Sequence, residues 1–215
     1  MTTGTLLAVC RVHELRPDVG NGVTAIDKRP VGVAVKVRTL GLYGDVQVDR
    51  KHHGGADKAL YAYSQQEAEF WAAELGREVP PGMFGENLRT AGIETTRAVI
   101  GERWKIGASV IAEVTMARTP CATFQRRMRE PRWVKRFTDV GLIGTYLRVV
   151  TKGAIQAGDE ITVISRPAHG ITVGKFFSSP TADDVRTLTK LHDDGELQLA
   201  RALRPYFEKI LRADS

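Results

Sequence analysis

Short β-branched apolar runs, each bounded by glycine or proline, recur through the first 165 residues and constrain the fold more than any other feature. Residues 6–12, 31–37, 98–100, 109–116, 144–150 and 160–164 all carry this pattern, with turns at Gly153 and Gly158 between the last of them. Runs this short and rich in Val, Ile and Thr read as strands. Many of them in series predict a closed or nearly closed β-barrel. Residues 17–22 read as a loop. Residues 65–75 read as a helix, with Ala68, Trp71, Ala72 and Leu75 on one face, and Pro80-Pro81-Gly82 closes that region.

From about Ser165 the period becomes helical. Val173, Phe176 and Phe177 fit one short helix. Thr181, with Asp184 three residues on, caps a second, and residues 196–211 form a third that Pro205 breaks or kinks. The expected architecture is therefore mainly β: a barrel with helical insertions over residues 1–165, then a small three-helix domain over 166–215. Helices of this size do not stand alone easily and should dock on the barrel.

No apolar stretch reaches membrane-spanning length. The opening Met1-Thr2-Thr3-Gly4-Thr5 places no basic region ahead of its apolar run, which predicts no export signal and a cytoplasmic location. In that compartment Cys10 and Cys121 stay reduced, and two cysteines cannot complete a four-sulfur zinc or iron–sulfur site. Cys10, inside an apolar run, reads as a small buried hydrophobe. The 31 basic residues against 25 acidic give a net charge of +6, and the excess gathers in one segment. Arg118, Arg126, Arg127, Arg129, Arg132, Lys135 and Arg136 face only Glu130 there, which suits an anionic cofactor or an acidic protein. Nucleic acid ranks last, since aromatics interleave poorly and no recognition motif is present.

Three motifs carry candidate chemistry. Gly41-Leu42-Tyr43-Gly44-Asp45 precedes His52-His53-Gly54-Gly55-Ala56-Asp57-Lys58, where adjacent glycines let backbone amides approach a ligand and Arg50, Lys51 and Lys58 add charge. Adjacent histidines point to different faces, which argues against a two-histidine metal site. In Phe84-Gly85-Glu86-Asn87-Leu88, the Asn87 amide is able to pair with a heterocyclic ring or with its own turn. Cys121 follows Arg118-Thr119-Pro120 and opens a short helix over residues 122–128 that Pro131 ends. A helix start and the nearby Arg118 and Arg126 favour thiolate. Nucleophile paired with His53, soft-metal ligand and inert thiol all remain open on these grounds.

In order and spacing, these motifs resemble the MOSC-domain family, named for the C-terminal domain of molybdenum-cofactor sulfurase, and within it the YiiM-like branch. The similarity begins at Ala25-Ile26-Asp27-Lys28-Arg29-Pro30-Val31, runs through the glycine, histidine and asparagine motifs and Arg118-Thr119-Pro120-Cys121, and ends at Gly144-Thr145-Tyr146-Leu147-Arg148. Ala56 stands where the family more often has proline. The resemblance implies a β-barrel with a three-helix tail that binds molybdenum cofactor (molybdopterin). It makes Cys121 the molybdenum ligand and catalytic residue, and Lys28 and Arg29 the groups at the pterin phosphate. By the same resemblance His53, Gly54, Asn87, Arg118 and Thr119 are expected to line the cofactor cleft. It further implies reduction of N-hydroxylated compounds (hydroxylaminopurines, amidoximes, hydroxamic acids), a role in detoxification, and electrons from a separate reductase. A family-wide association with pyridoxal phosphate is implied less directly. The alternatives are a sulfur or cofactor carrier that uses Cys121 without turnover, and a Cys121–His53 hydrolase.

Overall fold

Two pairing partners share one edge of an unusually long first strand, and this division closes the barrel. In the computed structural model of the chain, residues 2–19, 22–49 and 53–214 are described. Arg50, Lys51 and His52 lie outside them. The order is β1 (Thr3–Asp18), β2 (Gly22–Pro30), β3 (Val35–Arg38), β4 (Gly41–Leu42), β5 (Leu60–Ser64), α1 (Gln65–Leu75), β6 (Leu88–Ala91), β7 (Arg103–Ile106) and β8 (Val110–Ala117). Then come α2 (Ala122–Met128), α3 (Trp133–Val140), β9 (Thr145–Thr151), β10 (Gly153–Ile155), β11 (Glu160–Ser165), α4 (Val173–Ser178), α5 (Ala182–Asp193) and α6 (Arg204–Ala213). β1 pairs with β11 over Thr3 to Thr5 and with β2 from Cys10 to Asp18, while β6 takes its other edge. The ring β1-β6-β5-β9-β8-β7-β11 thus returns on itself as a seven-stranded barrel, with β5–β6 its one parallel pairing among the described residues. β10, β3 and β4 form a second small sheet. The expected barrel is present.

Local rules explain the helices that were expected. Ser64 Oγ accepts from the Glu67 backbone at 3.2 Å and the Glu67 carboxylate reaches back to Ser64 N, a capping box that starts α1 at Gln65. Thr181 and Asp184 form the same box at α5. α2 packs Phe124 and Met128, both fully buried, into an aromatic cluster with Trp71 of α1 and Trp133 and Phe137 of α3. Trp71 and Trp133 centroids lie 4.6 Å apart, and Phe124 meets Phe137 edge-on at 5.0 Å. Gly144 lets β9 enter under this cluster: at its φ of 63° a Cβ would lie 2.6 Å from the Ala62 carbonyl.

Three expectations are corrected. Of residues 17–22, read as a loop, Pro17 and Asp18 belong to β1 and Gly22 to β2, with Asp18 paired to Gly22, while Gly20 and Asn21 lie outside the described residues. The two register shifts of this pairing, around Glu14, and a buried Asp27 opposed by Arg16 at 2.9 Å replace the apolar alternation that would have marked it. Residues 98–100 are buried but make only an isolated bridge, Val99 to Thr172, before Gly101 turns at φ 87°. Pro205 does not break a helix: it stands in the first turn of α6, where its missing N–H costs no bond. α3 was not foreseen.

The three helices after β11 share a continuous hydrophobic core with the barrel through Ile171, Val173, Val185, Leu188 and Phe207. No helix among the described residues is long and apolar enough to cross a membrane.

Candidate functional site

A cavity of about 750 Å³ opens where the end of β8, the start of α2 and the β1–β2 hairpin meet, and the tail supplies part of its wall. Six of the expected residues line it: Lys28, His53, Asn87, Arg118, Thr119 and Cys121. Arg29 and Gly54 do not. Neighbouring residues of a strand point to opposite faces, so Lys28 turns inward while Arg29, half-exposed, donates to Asp27 at 3.3 Å.

Cys121 is the N-cap residue of α2, half-buried, in extended backbone and with no side-chain capping bond. The helix behind it is held by Phe124 and Met128 in the core and by Asp18. Asp18 accepts from Thr123 Oγ1 at 3.1 Å and from Arg126 Nε at 2.9 Å. Arg126, expected beside the thiol, is thus committed to an ion pair with Asp18. Arg118 is nearly fully buried, with its guanidinium carbon 3.9 Å above the Phe124 ring and 5.5 Å from that of Tyr61. Stacking holds the fork in place. Its Nη1 has no hydrogen-bond partner among the described residues, in a cavity wall where a buried donor is costly to leave unmet. Cys10, by contrast, is fully buried, and burial pushes its thiol up.

Asn87 reaches the cavity but its amide donors are already used. Nδ2 donates to Cys10 O at 3.2 Å and to Asp45 at 2.8 Å, and Oδ1 accepts from Tyr61 N at 3.2 Å. Both Asn87 donor hydrogens are thus spent within the fold, where the residue ties β1, β5 and the Asp45 turn together, and Oδ1 keeps one acceptor site. Asp45 also accepts from Val12 N at 2.8 Å and pairs with Lys28, so Lys28 faces a ligand with its charge partly balanced. Glu86, next in the same motif, is fully buried. It accepts from Gly82 N at 2.8 Å, Phe84 N at 3.0 Å and Arg89 Nε at 3.0 Å, building the turn that presents Asn87.

His53 Nδ1 lies 3.1 Å from Tyr146 Oη on the cavity wall. Burial, opposed by Arg118, pushes the Tyr146 hydroxyl up to about 12, so it keeps its proton at neutral pH. Lys58 sits 5.7 Å from the Tyr146 centroid; burial lowers its ammonium from the ordinary value, against the pull of Asp49 and Asp57. The Ala56 turn forms normally, as a short 3₁₀ segment, Ala56–Lys58, entered from Gly55 at φ 89°. Tyr146, Asp45 and Tyr206 were missed by sequence reasoning. The motifs around residues 45 and 146 contained the first two, but nothing in the chain signals that residues so far apart meet. Among the described residues no three His, Cys, Asp or Glu side chains group to hold a metal ion.

The basic segment is largely paired within the fold. Arg127 meets Asp27 at 2.8 Å, Lys135 meets Asp139 at 2.7 Å, and Arg77 and Arg136 share Glu130 at 3.2 and 3.7 Å. Each such pair lowers the charge the segment presents outward.

Residues 49–162 match the MOSC domain, a stretch that contains His53, Asn87, Arg118, Cys121 and Tyr146. The chain is 31% identical over 187 residues to protein YflK of Bacillus subtilis, covering 86% of this chain and 84% of that protein. It is 32% identical over 168 residues to a protein of Gibberella moniliformis called a reductase, covering 76% of this chain but only 30% of the fungal protein. The crystal structure of YiiM from Geobacillus stearothermophilus superposes with a TM-score of 0.77 over 97% of this chain and 99% of that one, at 22% identity, which speaks to fold. With a matched segment spanning more than half its length and YflK at this identity, the chain belongs to the MOSC-domain family.

Proposed function

We propose that the protein is a molybdenum-cofactor-dependent reductase of N-hydroxylated compounds, with Cys121 as the protein's ligand to the metal. The observation that carries this reading is a half-buried thiol on the wall of the same cavity as an arginine whose buried Nη1 lacks a partner among the described residues. The residues present fit the group: a soft thiolate suits molybdenum, and Lys28, Arg118 and Lys58 suit an anionic pterin phosphate. When bound, the cofactor supplies the two-electron redox chemistry.

The chain's own side chains hold and orient. Cys121 presents its sulfur from a helix start that the aromatic cluster keeps rigid. Arg118, fixed over Phe124, and the Thr119 beside it offer donors to the anionic part of the cofactor. The reaction R–NH–OH + 2 e⁻ + 2 H⁺ → R–NH₂ + H₂O cleaves the N–O bond and needs protons at the departing oxygen. Tyr146 Oη, protonated at neutral pH and bonded to His53, holds one such proton at the cavity wall. Cys10 and Cys121 are too few for an iron–sulfur cluster, and this reading assigns the electron supply to a separate reductase.

The test is metal and pterin analysis of protein made in a host that synthesises the cofactor, alongside turnover of N-hydroxylated substrates with an artificial electron donor. The reading expects molybdenum and pterin in near-equal amounts, and loss of turnover in Cys121→Ala. Full turnover in that variant overturns it. A persulfide on Cys121 by mass spectrometry, without molybdenum, points instead to a sulfur carrier.

A further inference from the structure

The tail is part of the cavity. Ala202, Pro205 and Tyr206 line it, and Tyr206 shows 48% of its surface although it is a large aromatic residue. Its neighbour explains the exposure. Phe207 is buried against Phe176, ring centroids 5.4 Å apart, and successive helical residues are turned by about 100°. Anchoring Phe207 in the core therefore sends Tyr206 away from it. The stretch before α6 is fastened to the barrel at two points: the Arg201 backbone N–H donates to Asp57 at 3.0 Å, and Arg148 donates to the Gln198 carbonyl at 3.1 Å. Asp57 directly precedes Lys58 in the chain, so one carboxylate ties the tail to the loop that carries the cavity's lysine.

We propose that Tyr206, flanked by Pro205, is a stacking platform for the substrate, and that the tail thereby selects planar heteroaromatic N-hydroxylated compounds over small aliphatic ones. This rests on the reductase reading above. The tyrosine ring offers a flat apolar face, which has little to give a short aliphatic chain but matches the face of a fused heterocycle. Tyr146, His53 and Lys58 give the same cavity its polar groups, where an N–OH would be placed. Tyr206 touches the substrate's ring and acts on binding, whereas the chemical step takes place at the N–O bond.

The experiment compares molybdenum-loaded wild type, Tyr206→Ala and Tyr206→Phe on 6-N-hydroxylaminopurine and on acetohydroxamic acid. Calorimetric titration of the same proteins with adenine, the planar amine product, accompanies the kinetics. Tyr206→Ala should raise KM for the purine and weaken adenine binding by about tenfold, the usual effect of removing an aromatic under a base. Its kcat and its activity on the hydroxamate should be unchanged, and Tyr206→Phe should behave as wild type. Equal losses on both substrates, an unchanged KM for the purine, or adenine binding that does not respond to Tyr206→Ala would overturn the platform. If loaded wild type turns over neither substrate, the reductase reading fails. The adenine titration then still decides the platform, and absence of binding to wild type counts against it.

Discussion

Asp57 and Arg148 face each other across the barrel wall, with Asp57 Oδ1 accepting from Arg148 Nε at 3.0 Å and from Nη2 at 2.6 Å. The second oxygen of the same carboxylate takes the Arg201 N–H of the tail. Replacing Asp57 by Ala leaves the buried Arg148 with Glu113 at 2.9 Å as its remaining anion and leaves the tail amide unmet. A loss of about 2 kcal/mol in urea unfolding is expected, below the full penalty of a stranded buried charge because Glu113 stays. Hydrogen exchange should quicken in residues 196–214 more than in the barrel strands.

Stability and metal retention should part company at Cys121. As an N-cap with no side-chain bond, it is a poor cap, and serine is a good one. Cys121→Ser should therefore be more stable than Cys121→Ala by about 1 kcal/mol in denaturant. Cys121→Ala should be purified without molybdenum. Metal in Cys121→Ala at wild-type level would mean that the sulfur is not the ligand.

Arg118 offers the converse test. Met in its place keeps the contact with Phe124 and removes a donor that has no partner among the described residues. Arg118→Met should keep its melting temperature near that of wild type, while retention of the pterin through gel filtration falls by about tenfold or more, the scale of one lost charged hydrogen bond. A large drop in stability with cofactor content unchanged would make Arg118 a structural residue.

Acid should act through Asp27. Burial alone would raise its carboxyl, but Arg127 at 2.8 Å, Arg29 at 3.3 Å and Arg16 at 2.9 Å outweigh it and hold the group below its ordinary value of 3.8. The folded chain then binds this proton less tightly than the unfolded chain. Its stabilisation is complete above 3.8 and lost as pH falls from there through the folded value. Asp27→Asn should be less stable than wild type near neutral pH, and the gap should narrow as melting is followed downward through that range. A constant gap would show that the arginines act by packing alone.

What could be read in advance was what is encoded locally. The Ser64–Glu67 and Thr181–Asp184 boxes lie three residues apart and need no tertiary partner, so α1 and α5 were visible. Pro120 and Pro131 framed α2 and with it Cys121. α3 was hidden because it starts after Arg132 and follows a cap at Arg129, both at positive φ without being glycine. Its Trp133 and Phe137 show their purpose only against Trp71. The β1–β2 hairpin was hidden because a charged cluster around Asp27 holds part of it. In the cavity, motif order led to Cys121, Arg118 and His53, while Tyr146 joined them through a bond spanning 93 residues and Tyr206 through the docking of the tail.

The closing seam of the barrel has a kinetic meaning. Thr3 pairs with Thr162, so β1 is synthesised well before β11 and has to wait for it to complete that edge. Meanwhile its hairpin with β2 shields one part of that edge, and residues 3–5 stay open to wrong partners. Non-local pairings of this kind place folding in the slower part of the range for small domains, on the order of milliseconds to seconds. Substitutions that weaken β11 should therefore show first as aggregation during synthesis, and only later as a lower melting temperature.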